Sequence, residues 1–279
     1  MSHQYNFAYL DESSKKKIRR SLLKSLAIPG CQVPYGGRQV PFSYGWGIGS
    51  VQVTASIIGQ DDRLKVIDQG ADHTLNALMI KDFFEKTTHV PLTEDTQAAS
   101  LIQTRHRIPE IPLSEGQIVI FQVASSEPLQ FIEPKRSEAA KMHAFNEYGA
   151  IYVKFYEDIA RFNRAAPAFD CPVSVNQWHI MSPSPIPKHD NPKLNQSPAL
   201  HLFASGKDRQ VYAIPPYTDV VSLEFEDRPA KPGAQEYPCA ICGATDSFLD
   251  EMIVDDQGTS LFICSDTEYC SKRSQEIES

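Results

Sequence analysis

The sequence predicts an α+β protein: a mixed central sheet with flanking helices, a helical insertion and a small C-terminal cysteine-rich hairpin module. Three observations predict it. Apolar, β-branched runs alternate with segments of helical period, but without the regular spacing of βαβ units. Pro- and Gly-rich stretches punctuate them. Four of the six cysteines fall between Cys239 and Cys270, beyond the linker DRPAKPGAQEYP. Residues 1–136 and 165–230 are then the α+β core, 137–164 the helical insertion and a candidate partner dock, and 231–279 the cysteine-rich module.

The elements follow in order. Ser13 is a candidate N-cap for a first helix, with Ile18, Leu22 and Leu26 as its buried stripe and Ile28-Pro29-Gly30 as its stop. The next stretch, GCQVPYGGRQVPFSYGWGIGS, is too rich in Gly and Pro for regular structure, yet its Tyr35, Phe42, Tyr44 and Trp46 require packing. Strands are predicted at 51–58 and 64–67. A helix is predicted over 70–86, with Leu75, Met79 and Phe83 on its inner side. Further strands are expected at 117–123, 199–203, 210–214 and 220–225. Residues 137–164 read as two helices broken at Gly149, and the five prolines from Pro183 to Pro198 as an irregular loop.

Bulk properties exclude several function classes. The chain has 279 residues and net charge −8, with a pI near 5.5. That charge disfavours a nucleic-acid binder. Lys15-Lys16-Lys17 with Arg19 and Arg20 is a dense basic cluster, read as a solvated helix face. The N-terminus lacks the apolar core of a signal peptide, and no stretch has the length of a membrane span. A cytoplasmic location is expected, where thiols stay reduced, so the cysteines point to metal or catalysis and not to disulfides.

The spacing is Cys239-x2-Cys242, then 21 residues, then Cys264-x5-Cys270. Cys-x2-Cys followed by Gly243 forms a knuckle that aims two sulfurs at one point. The runs 248–254 and 260–263, joined by Asp255-Asp256-Gln257-Gly258, read as a hairpin that returns Cys264 to the first pair. Zinc accepts four such thiolates as a closed tetrahedral site, and an iron–sulfur cluster also takes cysteine thiolates. Zinc ribbons commonly show this pattern, but they close with a second tight knuckle. Cys270, six positions after Cys264, either ligates or stands free beside a three-thiolate site with an open corner. A zinc hydrolase would need a base set near the metal, and Asp246, Asp250, Glu251 and Asp266 form no such pattern.

The tail Pro238-Cys-Ala-Ile-Cys-Gly243 with Cys264-Ser-Asp-Thr-Glu-Tyr-Cys270 resembles the catalytic subunits of bacterial carbon–phosphorus lyase. The resemblance runs along nearly the whole chain. It includes Tyr5-Asn-Phe-Ala-Tyr-Leu-Asp-Glu12, Ala27-Ile-Pro-Gly30, Gly36-Gly-Arg38, Tyr44-Gly-Trp-Gly47, Val66-Ile-Asp-Gln-Gly-Ala-Asp72, Leu101-Ile-Gln-Thr-Arg-His-Arg-Ile-Pro-Glu110 and Ser184-Pro-Ile-Pro-Lys188.

The resemblance implies a radical lyase in phosphonate catabolism, using S-adenosylmethionine and a 4Fe–4S cluster. Its substrate would be α-D-ribose 1-methylphosphonate 5-phosphate, and its products methane and α-D-ribose 1,2-cyclic phosphate 5-phosphate. Carried over by position, Cys239, Cys242 and Cys264 hold the cluster, Cys270 is the thiyl cysteine and a possible fourth thiolate at rest, and Gly30 is the glycyl-radical residue. The cysteine spacing departs from that of the usual radical enzymes, so a TIM barrel is not expected. Zinc in place of the cluster is expected in aerobically prepared protein. Sister subunits and an ATP-binding-cassette subunit are the implied partners. Cys31, directly after Gly30, is a local difference.

The implied chemistry suits these residue types. A methyl carbanion is a poor leaving group, so a phosphonate C–P bond resists acid, base and simple nucleophiles. Homolysis avoids the carbanion. A glycine Cα radical is stabilised by its flanking amides and flattens without a Cβ in the way; by position alone Gly30 reads as a helix C-cap, and the resemblance reverses that reading. Arg38, Arg105 and Arg107 are candidate clamps for phosphonate and phosphate oxygens, against the reading of surface ion pairs. His106 is a candidate metal ligand or proton relay, against the reading of a satisfied buried histidine. The alternative function is a non-catalytic assembly protein with a structural zinc ribbon.

Overall fold

A computed structural model describes residues 13, 16, 32–34, 49–105, 107–123, 133–145, 153, 157, 160, 161, 173–175, 178–180, 191–205, 210–222 and 237–279. Gly30, Cys31, Arg38 and His106 lie outside the described residues, as do most of the predicted first helix and the Gly149 break.

In chain order the elements are β1 (Gln32–Pro34), α1 (Gly49–Ile57), β2 (Leu64–Asp68), α2 (Leu75–Thr88), β3 (Leu101–Arg105), β4 (Ile118–Gln122) and α3 (Arg136–Phe145). Then come β5 (Val173–Val175), β6 (Trp178–Ile180), α4 (Asn191–Leu194), β7 (Leu200–Ser205), β8 (Gln210–Ile214) and β9 (Val220–Ser222). The tail holds β10 (Leu249–Ile253), β11 (Ser260–Cys264) and α5 (Thr267–Glu278).

Six strands form one sheet in the order β1-β8-β7-β4-β3-β2. β2, β3, β4 and β7 run parallel to their neighbours, whereas β8 and β1 join antiparallel. The sheet is mixed and open, as expected, and no barrel closes among the described residues. β5, β6 and β9 make a second, three-stranded sheet.

Alternation along the parallel strands sends side chains to two cores. Leu64, Val66, Leu101, Ile120 and Leu202 face α1 and α2. Ile67, Ile102, Val119, Phe121 and Phe203 face the other side, with Leu194 and Val220. Burial on both faces is what a parallel sheet requires.

Four expectations are corrected. Residues 51–58, with their run of β-branched side chains, form helix α1 and not a strand. Packing overrides propensity here, because α1 is buried all round: Val51, Gln52, Val53, Thr54, Ser56 and Ile57 are each at most 3% exposed. Its hydroxyls turn back on its own carbonyls, Thr54 Oγ1 to Ser50 O at 2.9 Å and Ser56 Oγ to Gln52 O at 2.7 Å. Gln103 of β3 pins it from the sheet, lying 2.5 Å from Thr54 Oγ1 and donating to Ser50 Oγ at 3.0 Å.

The second correction concerns α2. Its inner face is Ala77, Ile80, Phe83 and Phe84, whereas Leu75 and Met79 are exposed. Phe84 is one helical turn beyond Ile80, and that pair sets the buried stripe. Thr74 caps the helix, accepting from Ala77 N at 3.1 Å, and so starts it after the predicted 70.

Third, β3 occupies 101–105, where no strand is predicted, β1 lies in the Gly- and Pro-rich stretch expected to lack regular structure, and β5 and β6 are likewise additional. Fourth, the proline-rich loop contains the short helix α4, with Pro192 in its first turn, where a missing N–H costs nothing. In the insertion, α3 is helical, as are residues 153, 157, 160 and 161. No helix among the described residues is long and apolar enough to cross a membrane.

Candidate metal centre

The knuckle is built by backbone bonds. Cys239 N donates to Ala244 O at 2.8 Å and Gly243 N to Cys239 O at 2.9 Å. Gly243 turns the chain at φ 65, a conformation glycine adopts without strain. Ala240 N reaches Phe262 O of β11 at 2.7 Å, fastening the knuckle to the hairpin. β10 and β11 pair in antiparallel register, with Leu249 opposite Cys264. Asp255 holds their turn, its Oδ1 accepting from Gln257 N and Thr259 N at 2.9 Å.

Beyond β11, Asp266 caps α5 by accepting from Tyr269 N at 3.0 Å. Cys270 therefore stands on a helix, in its first turns. The sequence reading lacks this helix, although Asp266 followed by Glu268 is an N-terminal signal.

Cys239, Cys242, Cys264 and Cys270 are all buried, and their sulfurs lie within 4.8 Å of one another. Cys239 Sγ is 3.8 Å from Cys270 Sγ, and Cys242 Sγ is 3.5 Å from Cys264 Sγ. A tetrahedral zinc with bonds of about 2.3 Å sets its sulfurs about 3.8 Å apart. The four residues fit such an ion as they stand. A four-iron cluster places each thiolate on a separate iron, so it needs them further apart. The donor chemistry suits it, and the spacing is that of one ion.

The thiols are electrostatically unequal. Burial pushes the Cys239 thiol up, but N–H groups of Cys242, Ile241 and Cys264 and the Cys264 thiol outweigh it and bring it down to about 6. Burial raises Cys264 strongly, against a hydrogen bond from Ser247. Burial, reinforced by the Cys242 and Cys239 sulfurs, pushes Cys270 up to about 12. A bound cation would bring the Cys264 and Cys270 thiols back down.

The cysteine module docks on the core through polar contacts. Arg107 Nη2 donates to Ser265 Oγ at 2.6 Å, lies 3.6 Å from Asp250 Oδ1, and its guanidinium covers the Phe248 ring at 4.6 Å. Glu110 N donates to Asp266 Oδ2 at 2.5 Å. Gly70 turns the chain at φ 90, a conformation that favours glycine, beside the Ser265–Asp266 backbone. The docking segments 68–71 and 107–110 follow the carboxyl ends of parallel strands β2 and β3, where open α/β sheets place their sites.

Of the predicted site residues, the structure brings the four cysteines together and sets Arg107 against their module. Arg105 ends β3, where its carbonyl accepts from Gln69 N and Arg107 N, both at 2.9 Å. Lys65 and Thr96 of the core meet Glu268 of the module, a set of contacts the sequence reading missed. The signal was Lys65 itself, a charge inside the apolar run Leu64-Lys-Val-Ile67.

Fold and site together define a metal-binding α+β protein with a buried four-thiol centre on the edge of a mixed sheet. The chain belongs to the phosphonate metabolism protein PhnJ family, whose model matches residues 3–276. It is 57% identical over 271 residues to alpha-D-ribose 1-methylphosphonate 5-phosphate C-P lyase of Escherichia coli (strain K12), covering 97% of this chain and 96% of the relative. It is 55% identical over 269 residues to the enzyme of that name from Rhizobium meliloti (strain 1021), covering 96% and 91%.

Proposed function

We propose that this chain, a C–P lyase of phosphonate metabolism by family, cleaves α-D-ribose 1-methylphosphonate 5-phosphate homolytically, with Cys270 as the group that attacks phosphorus. The convergence of Cys239, Cys242, Cys264 and Cys270 carries this reading, because it unites a metal-binding trio with a fourth thiol on a separate element. A 4Fe–4S cluster on Cys239, Cys242 and Cys264 would supply an electron to S-adenosylmethionine when bound.

The remaining roles belong to the chain. Gly30 gives up a Cα hydrogen atom to the adenosyl group that S-adenosylmethionine would supply, holds the radical, then regains hydrogen from the Cys270 thiol and leaves the radical on that sulfur. The Cys270 sulfur bonds to phosphorus, and methyl departs with one electron of the C–P bond. Methyl takes a hydrogen atom from the Gly30 Cα to become methane, which restores the radical on Gly30. The ribose 2-hydroxyl then displaces the sulfur as thiolate, closing the 1,2-cyclic phosphate. Arg38, Arg105 and Arg107 clamp the anionic groups, and His106 serves as a ligand or relay at an interface. Sister subunits and an ATP-binding-cassette subunit complete the assembly, with 137–164 as the dock.

One observation favours a second reading, a structural zinc in a non-catalytic assembly protein: the sulfur spacing is that of a single ion. Anaerobic turnover of the reconstituted complex with S-adenosylmethionine separates the two. Cys270→Ala should still form 5′-deoxyadenosine and release no methane. Methane from that variant would overturn the role of Cys270. A colourless protein with one tight zinc and no deoxyadenosine from the intact chain would leave the structural reading standing.

A further inference from the structure

Glu268 stands two residues before Cys270 in α5. Two residues turn a helix by about 200°, so the two side chains leave it on opposite sides. Cys270 points to the other three sulfurs, and Glu268 points into the core. There its carboxylate is held from several directions. Lys65 Nζ donates to Oε2 at 2.7 Å. Thr96 Oγ1 donates to the same oxygen at 2.5 Å, and Thr96 N reaches Oε2 at 3.1 Å and Oε1 at 3.2 Å. Lys272 approaches Oε1 at 2.7 Å from the solvent side.

Lys65 is fully committed to this arrangement. Its three ammonium protons go to Glu268, to Asp72 Oδ2 at 3.0 Å and to the Glu94 carbonyl. Lys65 sits on β2 and Thr96 on the segment before β3, elements tied to the sheet by backbone bonds, so the anchor is rigid. The apolar support of α5 is slight, since Cys270 is its single buried residue.

We infer that Glu268 is a positioning residue: its carboxylate, seated on Lys65 and Thr96, fixes the first turn of α5 and thereby holds the Cys270 sulfur against Cys239, Cys242 and Cys264. The inference rests on those four cysteines forming one site and not on radical chemistry, so it holds for one ion or a cluster alike. With the seat filled, Cys270 stands as a fourth thiolate. With the seat broken, the other three cysteines keep their knuckle and hairpin bonds while Cys270 swings away with the helix. The seat thus sets the balance between a closed four-thiolate site and an open three-thiolate one.

The test is thiol alkylation of the full-length protein loaded with one equivalent of zinc under anaerobic conditions, with N-ethylmaleimide as probe and each cysteine read by mass spectrometry. Glu268→Gln should speed modification of Cys270 about tenfold, with Cys239, Cys242 and Cys264 nearly unchanged. Cobalt(II) titration should show thiolate-to-metal absorption of a three-sulfur site in the variant and a four-sulfur site in the intact protein. Thr96→Val, which keeps every charge, should produce the same selective change to a smaller degree and serves if Glu268→Gln does not fold. Equal acceleration of all four cysteines, or no acceleration with an unchanged cobalt spectrum, overturns the inference. Neither readout needs S-adenosylmethionine or iron, so failure of the lyase reading would leave it intact.

Discussion

Lys65 Nζ lies 2.7 Å from Glu268 Oε2, joining a strand buried in the sheet to a helix 203 residues later in the chain. The lysine side chain is 1% exposed and the glutamate 9%. Such a pair is expensive to half-remove, because the survivor keeps its desolvation cost and loses its partner.

Lys65→Met should therefore destabilise the protein by about 3–5 kcal/mol, leaving Glu268 and Asp72 buried without their shared cation. Urea unfolding at neutral pH measures it. Adding Glu268→Leu should cost less than the two single changes summed, since the pair is removed together. A loss under about 1 kcal/mol for Lys65→Met would show that water reaches the site and screens it.

A pH prediction follows from His201. It is wholly buried on β7, with Nε2 2.8 Å from Ser197 Oγ and the ring 6.1 Å from that of Phe121. Burial lowers its pKa from 6.5 to about 3. The unfolded chain then takes up a proton that the native chain refuses, so stability falls as pH drops through 6.5 toward 3. The loss between pH 7.5 and 5 should be about 2 kcal/mol from this residue. His201→Gln should remove that share of the slope, whatever it does to stability at pH 7.5. Parallel urea-midpoint profiles for variant and parent would contradict the account.

Metal removal should act locally. The module's buried cluster is Cys239, Cys242, Ala244, Cys264 and Cys270, with Leu249, Ile263 and Tyr269 against it. That is too little apolar surface to hold a hairpin and helix without a metal. After anaerobic chelation, amides of Ala240, Val254 and Cys270 should lose hydrogen-exchange protection, while those of β2, β3 and β4 keep theirs. Undiminished protection in the tail would mean that docking onto Arg107, Glu110 and Lys65 suffices alone.

The site was more legible than the fold. Cys239, Cys242 and Cys264 at knuckle-and-hairpin spacing announce a common ligand, because a tight turn and a two-strand return are local geometry; Cys270 was left open, and the helix that carries it decides its place. β2, β4, β7 and β8 were also readable, being short apolar runs bounded by turns. Helix α1 was not. Its β-branched residues favour a strand locally, and only its complete burial between strands and α2, with Thr54 and Ser56 bonded back on the helix, reverses that. The inner face of α2 was misread for a related reason: Leu75 and Met79 are apolar, but the sheet meets Ile80 and Phe84.

By itself the sequence determined that Cys239, Cys242 and Cys264 meet, since knuckle and hairpin form from local geometry, and it left the place of Cys270 open. Only the tertiary structure decided where they meet and how closely. The contacts that seat the module, Lys65 with Glu268 and Arg107 with Ser265, join residues more than 150 positions apart. Local propensity carries no information about such pairs; they exist because the folded sheet brings buried charges together and excludes the water that would screen them.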